Sequence, residues 1–431
     1  MNRDDSESPA YLLRVAAIRD AAGVRASPAA VLVRNERIVR SGAADQVERF
    51  CERNRIEPVA VDRWRDRLIV PALVNAHAHL DLTNTPPQPY RGDFTKWLEH
   101  VISRRTEDAA EIEAAVRRGL DLSRAAGVGV VGDVAGSRSA IEARITAEAE
   151  AGGGSGAGGA CGVSFLECFG IGADGVERVL KKAGDLLDVA ATPRVRLGLS
   201  PHAPYSVSPK AYDAASAFAH EQGWPLQTHL AETREEVAFT RHAAGPFAEL
   251  LRRLGKWEDA ISPGGRHPVD LIAPRLRRPA SVVHCNAVED RHITLLARTG
   301  LAVVYCPRAS AFFGHRDHRY REMLDAGVPV ALGTDSLLCH DTRGRGDASA
   351  MSVLEEMRML HRRDATPPDR LLAMATVHGR TALGLDTRSG MLADHAPARF
   401  TAVPIEANGG DPLDNALRSD AGAELIETLR D

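Results

Sequence analysis

The feature that most constrains this chain is Asn75-Ala76-His77-Ala78-His79-Leu80, which follows directly on the apolar run Leu68-Ile69-Val70-Pro71-Ala72-Leu73-Val74. Successive side chains of a strand point to opposite faces, so residues two apart share a face. A His-x-His pair closing a buried strand therefore aims two imidazoles at one point, the simplest beginning of a metal site. Alone, the pattern is as well explained by surface histidines. Three further segments change its weight: Trp224-Pro225-Leu226-Gln227-Thr228-His229, Ala280-Ser281-Val282-Val283-His284 and Val328-Pro329-Val330-Ala331-Leu332-Gly333-Thr334-Asp335. Each reads as a short apolar strand whose last residue is a metal-ligand type. Parallel barrels carry catalytic groups at the C-terminal ends of their strands, so the four coincidences point to one site.

The texture of the chain agrees. After His79, strands alternate with long helical stretches. Strand candidates at 128–133, 162–167 and 195–200 join those ending at His77, His229, His284, Cys306 and Asp335 to make eight. Helical stretches at 109–126 and 175–190 lie between them, the second with apolar residues three and four apart. Eight β–α units predict an α/β chain closed as a (β/α)₈ TIM barrel, not an open doubly wound sheet. Before the barrel, short runs at 11–18 and 30–34 and a turn at 35–39 suggest a small β module. The glycine-rich stretch 151–160 neither follows a strand nor carries GK[ST], so it reads as a flexible connection and not a phosphate loop. The tail 408–431 reads as amphipathic or loosely ordered, with no chemistry assigned.

Composition limits the partners. A net charge of −4 offers no general attraction to nucleic acid or an anionic membrane. No run approaches the roughly 18 apolar residues of a membrane span, and the polar, acidic N-terminus lacks the form of a secretory signal. Six scattered cysteines, without a CxxC pair, read as reduced thiols, and the expected compartment is the cytoplasm.

Three neutral imidazoles and a carboxylate make a borderline site, so His77, His79, His229 and Asp335 are read as ligands of one divalent ion, Zn²⁺ first and Fe²⁺ second. Such an ion lowers the pKa of its bound water to about 7. His284 is a fifth ligand or a hydrogen-bond partner of the attacking water. The second role is preferred because the ion already has its protein ligands. A second ion would need a bridging group. None of the lysines (Lys96, Lys181, Lys182, Lys210, Lys256) ends a strand, which leaves Glu167 on the third strand as the only rival. Glu232, three residues after His229, is either a proton shuttle or a helix N-terminal glutamate, and spacing leaves both open. His202, in the proline loop Ser200-Pro201-His202-Ala203-Pro204, is read as a substrate contact, with packing as the alternative.

With these residues in place, the chain resembles the amidohydrolase superfamily, in its cytosine-deaminase-like and chlorohydrolase-like branch. The matching motifs are Asn75-Ala76-His77-Ala78-His79, Ser200-Pro201-His202-Ala203-Pro204-Tyr205-Ser206, His229-Leu230-Ala231-Glu232-Thr233, Val283-His284-Cys285 and Leu332-Gly333-Thr334-Asp335-Ser336. The resemblance covers about 68–385. It implies a hydrolase barrel over 71–386 and a β-sandwich module composed of 1–70 and 387–431. It also implies one metal ion, Glu232 as proton shuttle, and His284 holding the water, with Glu232, His284 and Asp335 as the catalytic set. Within the branch, His202 and Trp97, in Phe94-Thr95-Lys96-Trp97-Leu98, match positions of adenine-nucleoside deaminases. His77-Ala78-His79-Leu80-Asp81-Leu82-Thr83 is similar to the form in aminofutalosine deaminases. The implied reaction is hydrolytic deamination of an amine-bearing heterocycle. Removal of chloride or opening of a cyclic amide is the alternative, and a non-catalytic scaffold a remote one. A homodimer is an expectation of the resemblance alone.

Overall fold

A computed structural model describes residues 8–151, 161–258, 264–340, 347–406 and 409–429. Eight parallel strands stand in sequence order: β1 (Leu73–Ala78), β2 (Val128–Ala135), β3 (Gly162–Cys168), β4 (Val195–Pro201), β5 (Leu226–Leu230), β6 (Ala280–His284), β7 (Ala302–Tyr305) and β8 (Val330–Leu332). The ring closes where Ala78 bridges to Asp335. There the peptide N–H groups of Thr334 and Asp335 donate to the His77 carbonyl at 3.1 and 3.0 Å, and that of His79 donates to the Asp335 carbonyl at 3.3 Å. The chain is thus a (β/α)₈ barrel. Its strands are buried on both faces, which is why they read as continuous apolar runs and not as alternations.

Helices begin where local chemistry allows. Asp108 caps helix Ala109–Ala125 by accepting from the N–H groups of Ala110 and Glu111. Ser208 caps Pro209–Glu221, with proline in its first turn. Among the described residues, no helix is long and apolar enough to cross a membrane. All six cysteines are buried and free.

Both termini supply the β module. Its four-stranded sheet contains Ala10–Val15, Ala29–Arg34, Arg37–Ala43 and Val59–Val61; its five-stranded sheet contains Ala17–Arg19, Arg25–Ala26, Arg67–Pro71, Phe400–Pro404 and Glu424–Ile426. Leu13, Val31, Ile69, Phe400 and Ile426 fill the space between them. The turn expected at 35–39 is a two-residue hairpin at Asn35 and Glu36, whose φ values of 51° and 57° suit a type I′ turn.

Several elements depart from their sequence reading. The run 68–74 is two strands: Arg67–Pro71 pairs with Phe400–Pro404, and the barrel begins only at Leu73. The ladder with Phe400–Pro404 ends one residue past Pro71, where the Ala72 N–H donates to the Arg399 carbonyl at 3.1 Å. The run 11–18 likewise divides at Ala16 between the two sheets. Helix Gly175–Gly184 stops short of 190, ending at a glycine. Strand β8 ends at Leu332 and not at Asp335, which lies beyond it with φ 62°. The tail is ordered where described, as helix Pro412–Arg418 and a strand paired with Phe400–Ala402. The glycine-rich connection at 152–160 lies outside the described residues.

Candidate active site

The four residues read as ligands meet at the C-terminal mouth of the barrel. His77 is fully buried on β1, and its Nδ1 lies 2.7 Å from Gln227 Oε1. The Gln227 amide donates to the Ala76 carbonyl at 3.0 Å and to Ser281 Oγ at 3.1 Å, so its oxygen is the atom left for His77. Nδ1 therefore carries the proton, and Nε2 is a bare lone pair aimed into the mouth, buried and without a partner. His229 on β5 repeats the device: its Nδ1 donates to the His202 carbonyl at 3.0 Å, leaving Nε2 as the free acceptor. His79, just beyond β1, and His77 place their Nε2 atoms 3.7 and 3.8 Å from one Asp335 oxygen, Oδ1. Ligand atoms of His77, His79 and His229 all lie within 4.8 Å of one another.

Burial first, then the neighbouring rings, holds the His77 imidazole well below its ordinary value, and burial takes His79 down to about 3. Burial also pushes the Asp335 carboxyl up to about 7. Two imidazole nitrogens left bare by their hydrogen bonds, a third imidazole from His79 and one carboxylate, all facing one point, fit a divalent ion of the Zn²⁺ or Fe²⁺ type.

Beside them stand Glu232 and His284. Glu232 follows β5 through Ala231, a residue with φ 52°, and its Oε1 lies 3.5 Å from His284 Nε2. Burial, then the charges of Asp335 and Glu236, holds the Glu232 carboxyl well above the usual carboxylate range. His284 ends β6 with φ 71°, and its carbonyl accepts from His318 Nε2 at 2.7 Å. Ala231, His284, Cys285 and Asp335 all occupy the left-handed region, where non-glycine backbone costs on the order of 1–3 kcal/mol per residue. Such strain gathers at binding mouths.

The mouth opens into a cavity of about 430 Å³. One wall is apolar, with Trp97 and Phe94 from helix Phe94–Arg104 packed on Phe313, and Tyr205 stacked on Phe247 at 3.8 Å. The opposite wall is polar. Arg105 donates to Glu167 at 2.8 Å and to Asp81 at 3.2 Å. Burial opposes ionisation of Glu167, yet the guanidinium holds its carboxyl well below the usual range. His202 stands next to it, Nδ1 2.7 Å from Ser206 Oγ and Nε2 3.9 Å from Glu167, with burial taking its ring down to about 3. Glu167, His202 and His229 also bring three ligand atoms together, but Arg105 already supplies Glu167 with a counter-charge.

Sequence reasoning missed Gln227, Arg105, Asn286 and Glu236. Gln227 carried a signal, since it shares the His229 face two residues earlier on β5. Arg105 carried none, because its partner Glu167 lies 62 residues away.

A closed parallel barrel with this donor set at its mouth defines the class of metal-dependent barrel hydrolases. The amidohydrolase family profile matches residues 68–420, and the chain belongs to that family. Aminodeoxyfutalosine deaminase of Deinococcus radiodurans is 28% identical over 82% of this chain and 80% of its own length. The 5-methylthioadenosine/S-adenosylhomocysteine deaminase of Moorella thermoacetica is 28% identical over 76% of this chain and 71% of its own. The 5'-deoxyadenosine deaminase of Methanoregula boonei is 30% identical, and the match spans 46% of that relative. Helicobacter pylori aminofutalosine deaminase has the same fold, with a TM-score of 0.77, 18% identity, and coverage of 96% of this chain and 97% of its own.

Proposed function

We propose that this protein is a hydrolytic deaminase of adenine nucleoside-type compounds, with aminodeoxyfutalosine the first substrate to test. The observation that carries the reading is the Glu232 carboxyl, buried beside the three-histidine cluster and 3.5 Å from His284, with its proton affinity raised. The names of the relatives from Deinococcus radiodurans and Moorella thermoacetica support the choice of substrate.

His77, His79, His229 and Asp335 would hold the ion, Zn²⁺ before Fe²⁺. When bound, it supplies Lewis-acid activation of water near neutral pH. The water oxygen bonds to the ring carbon that bears the exocyclic amine; Glu232 takes the water's proton and delivers it to that amine, and the exocyclic C–N bond breaks to release ammonia. His284 orients the water and faces the oxygen on which charge develops. The chain folds that ring against Trp97 and offers it the neutral imidazole of His202.

The polar wall suits a sugar. Glu167, His202 and Ser206 line it with hydrogen-bonding groups that can meet sugar hydroxyls. Six buried free thiols suit a reducing compartment, which supports a cytoplasmic location as part of this proposal.

The test is ammonia release by metal-loaded protein from aminodeoxyfutalosine, S-adenosylhomocysteine, methylthioadenosine, adenosine, guanine and cytosine. Release from a nucleoside, and its loss by about 10²–10⁴-fold in a metal-replete Glu232→Gln variant, is the expected result. Silence across the panel with metal bound sinks the deaminase reading, as does an undiminished Glu232→Gln variant.

A further inference from the structure

Glu236 is a fully buried carboxylate outside the cavity that the proposed reaction does not use. It is the third residue of helix Arg234–His242, whose cap is Thr233; Thr233 Oγ1 accepts from the Glu236 N–H at 3.1 Å. Thr-x-x-Glu is the sequence of a capping box, in which the glutamate reaches back to the N–H of the cap residue. Here the carboxylate passes Thr233 by. Oε1 accepts from the Ala231 N–H at 2.8 Å, and Oε2 from the Glu232 N–H at 2.9 Å.

Those two peptides form the turn that leaves β5 and turns Glu232 toward His284. Its first residue, Ala231, is left-handed without being glycine. From the other side, Asn286 Nδ2 donates to the Glu232 carbonyl at 3.1 Å, and Ser310 Oγ fixes the Asn286 oxygen at 2.9 Å. Among the described residues no cation pairs with Glu236; burial raises its carboxyl, and the Ala231 and Glu232 N–H groups oppose that rise by favouring the ionised form, which has an acceptor oxygen for each. A helix cap alone does not require a buried, unpaired carboxylate. An exposed cap residue would serve as well.

We propose that Glu236 is a positioning residue, whose carboxylate clamps the left-handed Ala231–Glu232 turn and so fixes the Glu232 side chain beside His284. It touches neither substrate nor metal ligands and acts only through Glu232. The inference rests on the role given to Glu232 above.

The test compares Glu236→Gln with Thr233→Ala, which removes the ordinary cap and leaves the clamp. An amide keeps one acceptor oxygen and sets a donor against the second N–H. For metal-replete Glu236→Gln, kcat is expected to fall about 10–100-fold, as for other supporting partners, with KM within about threefold. Thr233→Ala should lower Tm and keep kcat per bound ion. A crystal structure of Glu236→Gln should show Ala231 out of the left-handed region and the Glu232 carboxyl displaced from His284. Adding Ala231→Gly, which adopts positive φ without strain, should restore part of the kcat and recover the fold if the single variant is insoluble. Wild-type kcat in Glu236→Gln, or a crystal structure with the turn and Glu232 unmoved, overturns the proposal. A wild-type protein that deaminates nothing overturns the reaction instead, and the crystal structure still decides the clamp.

Discussion

At the scale of single residues, the site depends on which imidazole nitrogen carries the proton. Gln227 decides this for His77, and the His202 carbonyl decides it for His229. Removing a partner that orients a ligand commonly costs 10–100-fold in metal affinity or activity. Gln227→Leu should therefore weaken metal binding by about 10–100-fold, read by competition against a chromogenic chelator. Gln227→Glu, which keeps the accepting oxygen, should bind more tightly than the leucine variant. Equal affinities in Gln227→Leu and wild type would remove Gln227 from the site. Asp335→Ala should strip both metal and turnover, and a variant that stays fully active without metal contradicts the ligand set.

At the scale of elements, the exit of β8 is closely packed against β1. A Cβ on Gly333 would come 2.9 Å from His77 Cβ and 3.0 Å from Cys306 Sγ. Gly333→Ala should push β8 off β1, so we expect loss of metal as well as a lower Tm. Retention of full metal content in a destabilised variant would show that the strand gives way without moving His77. This element also shows where the sequence was readable. The runs ending near His77, His229, His284 and Asp335 stood out because buried parallel strands are apolar throughout, and a ligand-type residue interrupts them visibly. Eight such runs gave the barrel, and the spacing of His77 and His79 gave the first pair of rings. Strand ends were less legible: one apolar run divides between two sheets at Ala72, and β8 stops at Leu332, before the left-handed Asp335. Partners brought by tertiary contact were harder to read. Arg105 comes from a helix terminus to Glu167 and left no local trace, whereas Gln227 was marked only by its place on the His229 face of β5.

At the scale of the whole molecule, buried histidines set the response to acid. Burial takes His79, His202 and His340 down to about 3, and His267 and His318 down to about 4. Unfolded, each binds a proton near 6.5. Below that pH the unfolded chain gains protons the fold excludes, so their stabilisation is present above 6.5 and is lost as pH falls toward 4. Asp133, Asp335 and Glu236 oppose this, raised by burial to about 6, 7 and 8, and they add stability as pH falls from 8. His77, His229 and His284 are also held low, and Glu232 and Glu356 high; the depressed histidines still outnumber the raised carboxyls, so Tm of the chelator-treated protein should peak near neutrality and fall toward pH 4.5. A Tm that keeps rising between pH 6.5 and 4.5 would contradict it. The closing seam of the barrel has a wider consequence. Asn75 and Thr334 hydrogen-bond across it although they lie 259 residues apart in sequence, and His77, His79 and Asp335 sit at the same joint. Every other pair of adjacent strands is tied by an intervening stretch of chain, whereas this pair is not. An ion gripped by those three side chains would add a side-chain clasp to a joint that only hydrogen bonds hold shut. Chelation should then loosen the first and last strands before the rest.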